Sequence, residues 1–67
     1  MRFRNHIKNY RLSLNKNQKE MAEFLGITIA TYNHIENGHK NLTFKTIQKI
    51  SDRTGIPVEM IHRELRK

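Results

Sequence analysis

The sequence contains no cysteine and no tryptophan, and its single proline is Pro57. Without cysteine, disulfide bonds and thiolate metal sites are excluded. No segment approaches the roughly 18 apolar residues that a membrane span needs, and the basic start of the chain lacks the apolar run of a signal peptide. We therefore expect a cytoplasmic protein with no membrane partner, folded as one domain over residues 1–67.

Acidic residues are also scarce. Six aspartates and glutamates stand against 13 lysines and arginines, which gives a net charge of +7 on 67 residues. This charge favours polyanionic partners, because lysine and arginine release the counterions condensed on them. RNA, a membrane surface, an acidic protein or a simply solvated basic surface would fit the same charge, so composition alone does not identify the partner.

Sustained alternation of apolar and polar residues is missing, and apolar residues recur instead at spacings of three and four. This pattern predicts an all-α fold of five short helices. The first helix covers about residues 3–12 and has Phe3, Ile7 and Tyr10 on one face. Asn15 can stop this helix, because asparagine tolerates the left-handed conformation.

The second helix begins with a capping box, in which Asn17 is the N-cap and Glu20 the third helical residue. Gly26 ends it, as glycine commonly does just past a helix. The inner face is predicted to comprise Met21, Ala22 and Leu25.

Thr28 is the predicted N-cap of the third helix, which runs to about Asn37. The dipeptide Asn37-Gly38 could form a hairpin turn, but the helical pattern around it favours a helix end. The residues predicted to point inward are Ile27, Tyr32 and Ile35.

The fourth helix is predicted from Thr43 to Gly55, and the fifth begins with Pro57 as its first helical residue. The inward residues are predicted to be Phe44, Ile47 and Ile50 in the fourth helix, and Val58, Ile61 and Leu65 in the fifth.

The stretch from Gln18 to Ile35 reads QKEMAEFLGITIATYNHI and continues as ENG. It resembles the helix-turn-helix of the lambda-repressor/Cro-like (Xre-type) family. Gln18 matches the glutamine that opens the second helix of that family, Ala22 the small residue where the two helices cross, and Gly26 the glycine of the turn. A small residue lets two backbones approach closely, and glycine permits a tight turn. The apolar positions that also match are Met21, Leu25, Ile27 and Ile35.

The resemblance covers residues 7–61 and implies a five-helix lambda-repressor-like DNA-binding domain, with a helix-turn-helix at helices 2 and 3. It implies a sequence-specific transcriptional regulator of double-stranded DNA, most simply a repressor, that inserts helix 3, about residues 28–37, into the major groove. We also expect a homodimer on a roughly palindromic operator, with half-sites about one helical turn apart.

By this resemblance, the start of helix 3 reads bases. Ile29 and Ala30, with Thr31 beside them, cannot hydrogen-bond to a base edge in the way of the polar residues found in many relatives, but they can pack on thymine methyl groups. Asn33 can bond adenine and His34 can donate to guanine. These residues lead to the hypothesis of an operator half-site rich in A·T pairs.

Contacts to the DNA backbone are expected from the starts of helices 2 and 4 and from the loop before helix 4. Gln18 is also expected to brace the start of helix 3. A lysine in this set would otherwise simply face solvent. The candidates are Asn17, Gln18, Lys19, Thr28, Asn37, Lys40, Asn41, Thr43 and Lys45.

Arg11 and Glu36 resemble the ion pair that ties helix 1 to the end of helix 3 in this family, and we expect a structural role for them. Three positions depart from the family pattern. Lys16 stands where an apolar residue is usual, Tyr32 replaces an aliphatic residue and needs a partner for its hydroxyl, and Phe24 either fills a gap beside helix 1 or marks a contact surface.

Two further questions stay open at this level. Val58, Ile61 and Leu65 on helix 5 could form the dimer surface or could close the core of the monomer. Phe24, Met60 and Ile61 could form a docking patch, as expected of an antitoxin or anti-repressor that uses the same fold as a protein-interaction module.

Metal and catalytic roles are not favoured. The four histidines, His6, His34, His39 and His62, have no cysteine or carboxylate at a spacing that completes a metal site. The serines lack a recognisable histidine and acid arrangement. We therefore expect no metal, no cofactor and no enzymatic activity. An RNA partner is disfavoured because the major groove of A-form RNA excludes a helix.

Overall fold

A computed structural model describes residues 2–39 and 41–66, and within these ranges the chain forms five α-helices and no strand. The all-α prediction is therefore confirmed, and the helix bounds differ from the predicted ones by only one or two residues. The helices are α1 (Phe3–Ser13), α2 (Gln18–Leu25), α3 (Ile29–Glu36), α4 (Phe44–Thr54) and α5 (Val58–Leu65).

The helix ends predicted at Asn15, Asn17 and Gly26 are built by the residues expected. Asn15 has a φ of +56°, in the left-handed region that asparagine tolerates. At the start of α2, the Asn17 side chain accepts from the Glu20 N–H and the Glu20 carboxylate accepts from the Asn17 N–H. Gly26 ends α2 with a φ of +73°, and a Cβ there would meet no atom within 4 Å. Glycine is therefore needed for its backbone conformation, since space alone would admit alanine.

The five helices pack around one apolar core. Helix α1 contacts α3 and α5, α2 contacts α3 and α4, and α4 contacts α5. Helix α3 thus lies against α1 and α2 on one side. The buried residues are Phe3, Ile7, Met21, Ala22, Leu25, Tyr32, Ile35, Ile47, Ile50, Ile56 and Ile61.

Two predictions at α4 and α5 are wrong in detail. Phe44 was expected inside but is 68% exposed. Each residue turns a helix by about 100°, so Phe44 lies well off the side that buries Ile47 and Ile50, and Leu42 packs on the core instead. Pro57 is the N-cap of α5, not its first helical residue, because its ψ of 141° is still extended.

Helix α5 closes the core of the single chain. Ile61 is fully buried, and Val58 and Leu65 pack against the core. The proposed dimer surface therefore loses Ile61, and so does the proposed docking patch. Phe24 is half-buried against the core, which leaves Met60, 37% exposed, as the accessible member of that patch.

Phe24 also explains the unusual lysine before α2. The Lys16 ammonium lies 5.4 Å from the centre of the Phe24 ring, a cation–π geometry. The charge of Lys16 thus meets an aromatic face at the position where the family usually has an apolar residue. Across the described ranges, no helix combines the length and apolar character that crossing a bilayer demands.

Candidate nucleic-acid interface

A three-residue turn joins α2 to α3. Gly26, Ile27 and Thr28 connect Leu25 to Ile29, and the two helices pack directly on each other. Lys49 on α4 donates from its Nζ to the Gly26 carbonyl at 3.1 Å, so α4 also fixes this turn. Sequence reasoning missed this contact, because nothing in a lysine of an exposed helix face marks it as a tie to a turn 23 residues away.

One side of α3 is left open by this packing. Ile29, Ala30, His34 and Asn37 are exposed, with Ile29 at 46% of its full accessibility, and Asn33 is half-buried. At about 100° per residue these five positions fall within one arc of the helix. Of the side chains predicted to meet base edges, Ile29, Ala30 and His34 therefore share one exposed face with the predicted backbone contact Asn37, and Asn33 lies on the same arc but is half-buried.

Asn33 is more enclosed than the prediction assumed. Its Oδ1 is buried and has no hydrogen-bond partner among the described residues. Bonding to both positions of an adenine requires Oδ1 and Nδ2 together, so the amide must rotate before it can do so. Because this oxygen has no partner among the described residues, rotation of the amide toward a base breaks none of its hydrogen bonds. Rotation would also relieve the cost of an unpartnered buried acceptor.

His34 has an aromatic neighbour that the sequence did not indicate. The ring of His39 stacks on it, with 4.7 Å between centroids and 27° between planes, and the His39 N–H donates to the His34 carbonyl. The turn at Gly38 brings these residues together, a contact that lies outside helical spacing. His34 therefore presents a ring whose orientation is fixed from one side.

The starts of α3 and α4 are built alike. Thr28 Oγ1 accepts from the Thr31 N–H and donates to the Thr31 hydroxyl, and Thr43 makes the same pair of contacts with Thr46. Thr28 and Thr43 are exposed, and their hydroxyls serve as helix caps. Thr31 is half-buried in its cap, which leaves Ile29 and Ala30 as the open residues at the start of α3.

The start of α2 lies next to the end of α3. Gln18 donates from its Nε2 to the Glu36 Oε1 at 3.2 Å. The prediction that Gln18 braces the start of α3 is thus wrong, because its side chain reaches the last turn. Asn17 and Lys19 are exposed, as are Asn41 and Lys45 near the start of α4. Lys40, another predicted backbone contact, lies outside the described residues.

The predicted ion pair lies under the closed side of α3. Arg11 donates from Nε to the Glu36 Oε2 at 2.7 Å, from Nη2 to Oε1 at 3.4 Å, and from Nη1 to the Lys16 carbonyl. The two side chains are only 12% and 6% exposed. Burial works to raise the pKa of Glu36, but the interactions with Arg11, Tyr32 and Gln18 together outweigh it and hold that pKa below its ordinary value. The hydrogen bond to Glu36 in turn raises the pKa of Arg11.

Tyr32 lies beside this pair, and its hydroxyl interacts electrostatically with both Arg11 and Glu36. Its hydroxyl is buried and has no hydrogen-bond partner among residues 2–39 and 41–66. Burial first, and then the neighbouring Glu36 carboxylate, raise the pKa of the Tyr32 hydroxyl. The hydrogen-bond partner that the sequence analysis expected for this hydroxyl is therefore not found in the described part of the chain.

The remaining histidines are not gathered into a metal site. His6 is held by the Glu64 carboxylate, with 3.0 Å from Nδ1 to Oε1. Within the part of the chain that the structure describes, no group of three or more His, Asp or Glu side chains could hold a metal ion.

The sequence profile of the helix-turn-helix family matches residues 7–61. The chain belongs to this helix-turn-helix family. Proteins of this family are DNA-binding transcriptional regulators. The chain is also similar to the transcriptional repressor RstR of the cryptic phage CTXphi in Vibrio cholerae serotype O1, with 30% identity over 59 residues.

This similarity covers 88% of the chain but only 53% of the phage repressor, so the helix-turn-helix chain spans about half the length of that relative. No solved structure matches the chain.

Proposed function

We propose that this protein is a sequence-specific transcriptional repressor that reads the major groove with the open face of α3 and binds a roughly palindromic operator as a homodimer. The observation that carries the proposal is the division of α3. Its Tyr32 and Ile35 are buried while Ile29, Ala30 and His34 face outward. A helix held by one side and exposed on the other has the geometry that a major groove accepts.

We assign base reading to the open face of α3 and backbone binding to the residues around that face. In this proposal, Ile29 and Ala30 pack on thymine methyl groups and His34 donates to a guanine acceptor. Exposed Asn17, Lys19 and the residues at the start of α4 surround this face and suit phosphate groups. A repressor of this kind acts by occupying a site that the transcription machinery needs. The named function of the phage relative is in keeping with this role.

The proposal is tested by selecting binding sites from a random pool of DNA duplexes and titrating the selected duplex at several salt concentrations. A dimer that contacts about six phosphates should give a slope near −5 for log K against log salt. The selected consensus should contain two A·T-rich half-sites about one helical turn apart.

A double variant separates base reading from charge attraction. Asn33→Ala with His34→Ala should lower affinity for the selected duplex by about tenfold or more, because a base contact of this kind is worth about 1–3 kcal/mol. Asn9→Ala with His62→Ala removes the same residue types from α1 and α5 and should leave affinity unchanged. Weak binding to every duplex, equal in the wild type and both variants, would overturn the proposal and favour a protein partner.

A further inference from the structure

Two arginines that are not among the predicted contacts lie beside the end of α3. Arg2 and Arg4, at the start of α1, are exposed. With Asn37, Gly38 and His39 they line a solvent-open hollow of about 90 Å³. The fold thus brings the start of α1 next to the segment that leaves the DNA-reading helix.

Arg4 is placed over Gly38 by close contact. Gly38 has a φ of +90°, and a Cβ built there would lie 3.3 Å from both Cδ and Nη1 of Arg4. The arginine side chain therefore crosses the backbone of the residue that follows Asn37. Packing against Gly38 therefore helps to fix the position of Arg4 relative to α3.

Neither arginine is neutralised within residues 2–39 and 41–66. The ion pairs found there join His6 to Glu64 and Arg11 to Glu36. Glu64 also lines the hollow, but both of its oxygens lie within hydrogen-bond distance of His6 Nδ1, at 3.0 and 3.2 Å. Two guanidinium groups that have no carboxylate partner among the described residues thus lie next to Asn37, itself a candidate backbone contact.

We propose that Arg2 and Arg4 bind phosphates of the DNA backbone flanking the groove that α3 reads. This inference rests on the proposed function and extends the DNA contacts from α2, α3 and α4 to the start of α1. Arginine suits the role because its planar fork of donors matches the oxygens of a phosphate group. The contact carries no sequence information, so it strengthens binding to any duplex seated on α3.

The test compares single charge removals on the duplex selected from the random pool. For Arg4→Gln and Arg2→Gln, the salt slope should become less negative by about 0.9 for each phosphate that the variant no longer neutralises, or about 1.8 for a dimer with two copies. Arg4→Lys should keep the slope of the wild type, because the charge remains. The matched control is Arg53→Gln, which removes an exposed arginine from the last turn of α4, the end away from the capped start at Thr43.

Circular dichroism should first show that each variant is helical, and Arg2→Gln keeps the test decisive if Arg4→Gln fails to fold. If the wild type binds with a steep salt slope and Arg2→Gln, Arg4→Gln and Arg53→Gln all keep that slope, this inference is overturned and the proposed function still stands. Absence of salt-sensitive binding in the wild type would instead overturn the proposed function. A slope reduced by Arg2→Gln or Arg4→Gln, but not by Arg53→Gln, is the supporting result.

Discussion

The inner and outer faces of α3 differ in the burial of their side chains and in the contacts that these side chains make. On the inner face, Tyr32 and Ile35 are 0% and 1% exposed and Glu36 is tied to Arg11. On the outer face, Ile29 is 46% exposed and His34 faces solvent. Neighbouring residues in the sequence therefore serve separate purposes. Changes to the inner face should alter the free energy of unfolding, and changes to the outer face should alter binding.

The largest effect is expected from Arg11→Ala. It leaves the Glu36 carboxylate without its cation and should lower the free energy of unfolding by about 3 kcal/mol, the low end for a buried pair because some solvent contact remains. A domain of this size has a net stability of only about 3–5 kcal/mol, so much of it should disappear. Urea denaturation followed by circular dichroism measures this.

The exposed Arg53→Ala should change the same free energy by less than about 0.5 kcal/mol. Equal effects of the two substitutions would contradict a special role for the ion pair.

Acid should weaken the inner face selectively. Because the pKa of Glu36 in the folded protein is lowered, the stability from its ionised form is present above its ordinary pKa and is lost as pH falls through the folded-state value. Urea unfolding at a series of pH values should therefore show the difference between wild type and Glu36→Gln shrinking toward acid. A difference that stays constant with pH would show that the charge of Glu36 does not contribute.

A smaller effect, of opposite sign, is expected from Tyr32→Phe. It removes a buried hydroxyl that has no hydrogen-bond partner among the described residues. The free energy of unfolding should rise by roughly 1 kcal/mol, since an unsatisfied buried polar group is costly. Thermal unfolding measures the change, and DNA affinity should stay as in the wild type. A decrease of more than about 1 kcal/mol would mean that the hydroxyl has a partner in solution.

The smallest change in stability is expected from Ile29→Ala on the outer face, within about 0.5 kcal/mol of the wild type. Its effect should appear in binding instead. If Ile29 packs on a thymine methyl group, replacing thymine by uracil in the selected duplex should weaken wild-type binding but not binding by the variant. Equal effects of uracil on the two proteins would place the methyl contact elsewhere.

Local features of the fold could be predicted because they depend on neighbours in the chain. The capping box of Asn17 and Glu20, the left-handed Asn15 and the glycine end at Gly26 follow from backbone chemistry within four residues. The exposed arc of α3 followed from helical periodicity. The same reasoning wrongly predicted that Phe44 is buried, because apolar spacing alone does not show which residues in the first turn of a helix face the core.

The sequence by itself determined the five helices, the caps at Asn17 and Thr28, the family and the positive charge, since each depends on local patterns or composition. Only the tertiary structure decided that Gln18 reaches the end of α3, that His39 stacks on His34, and that Arg4 crosses Gly38. These contacts join residues from different helices or across a turn. Their geometry depends on how whole helices pack around the core, because the direction of a long side chain is set by the surfaces it meets.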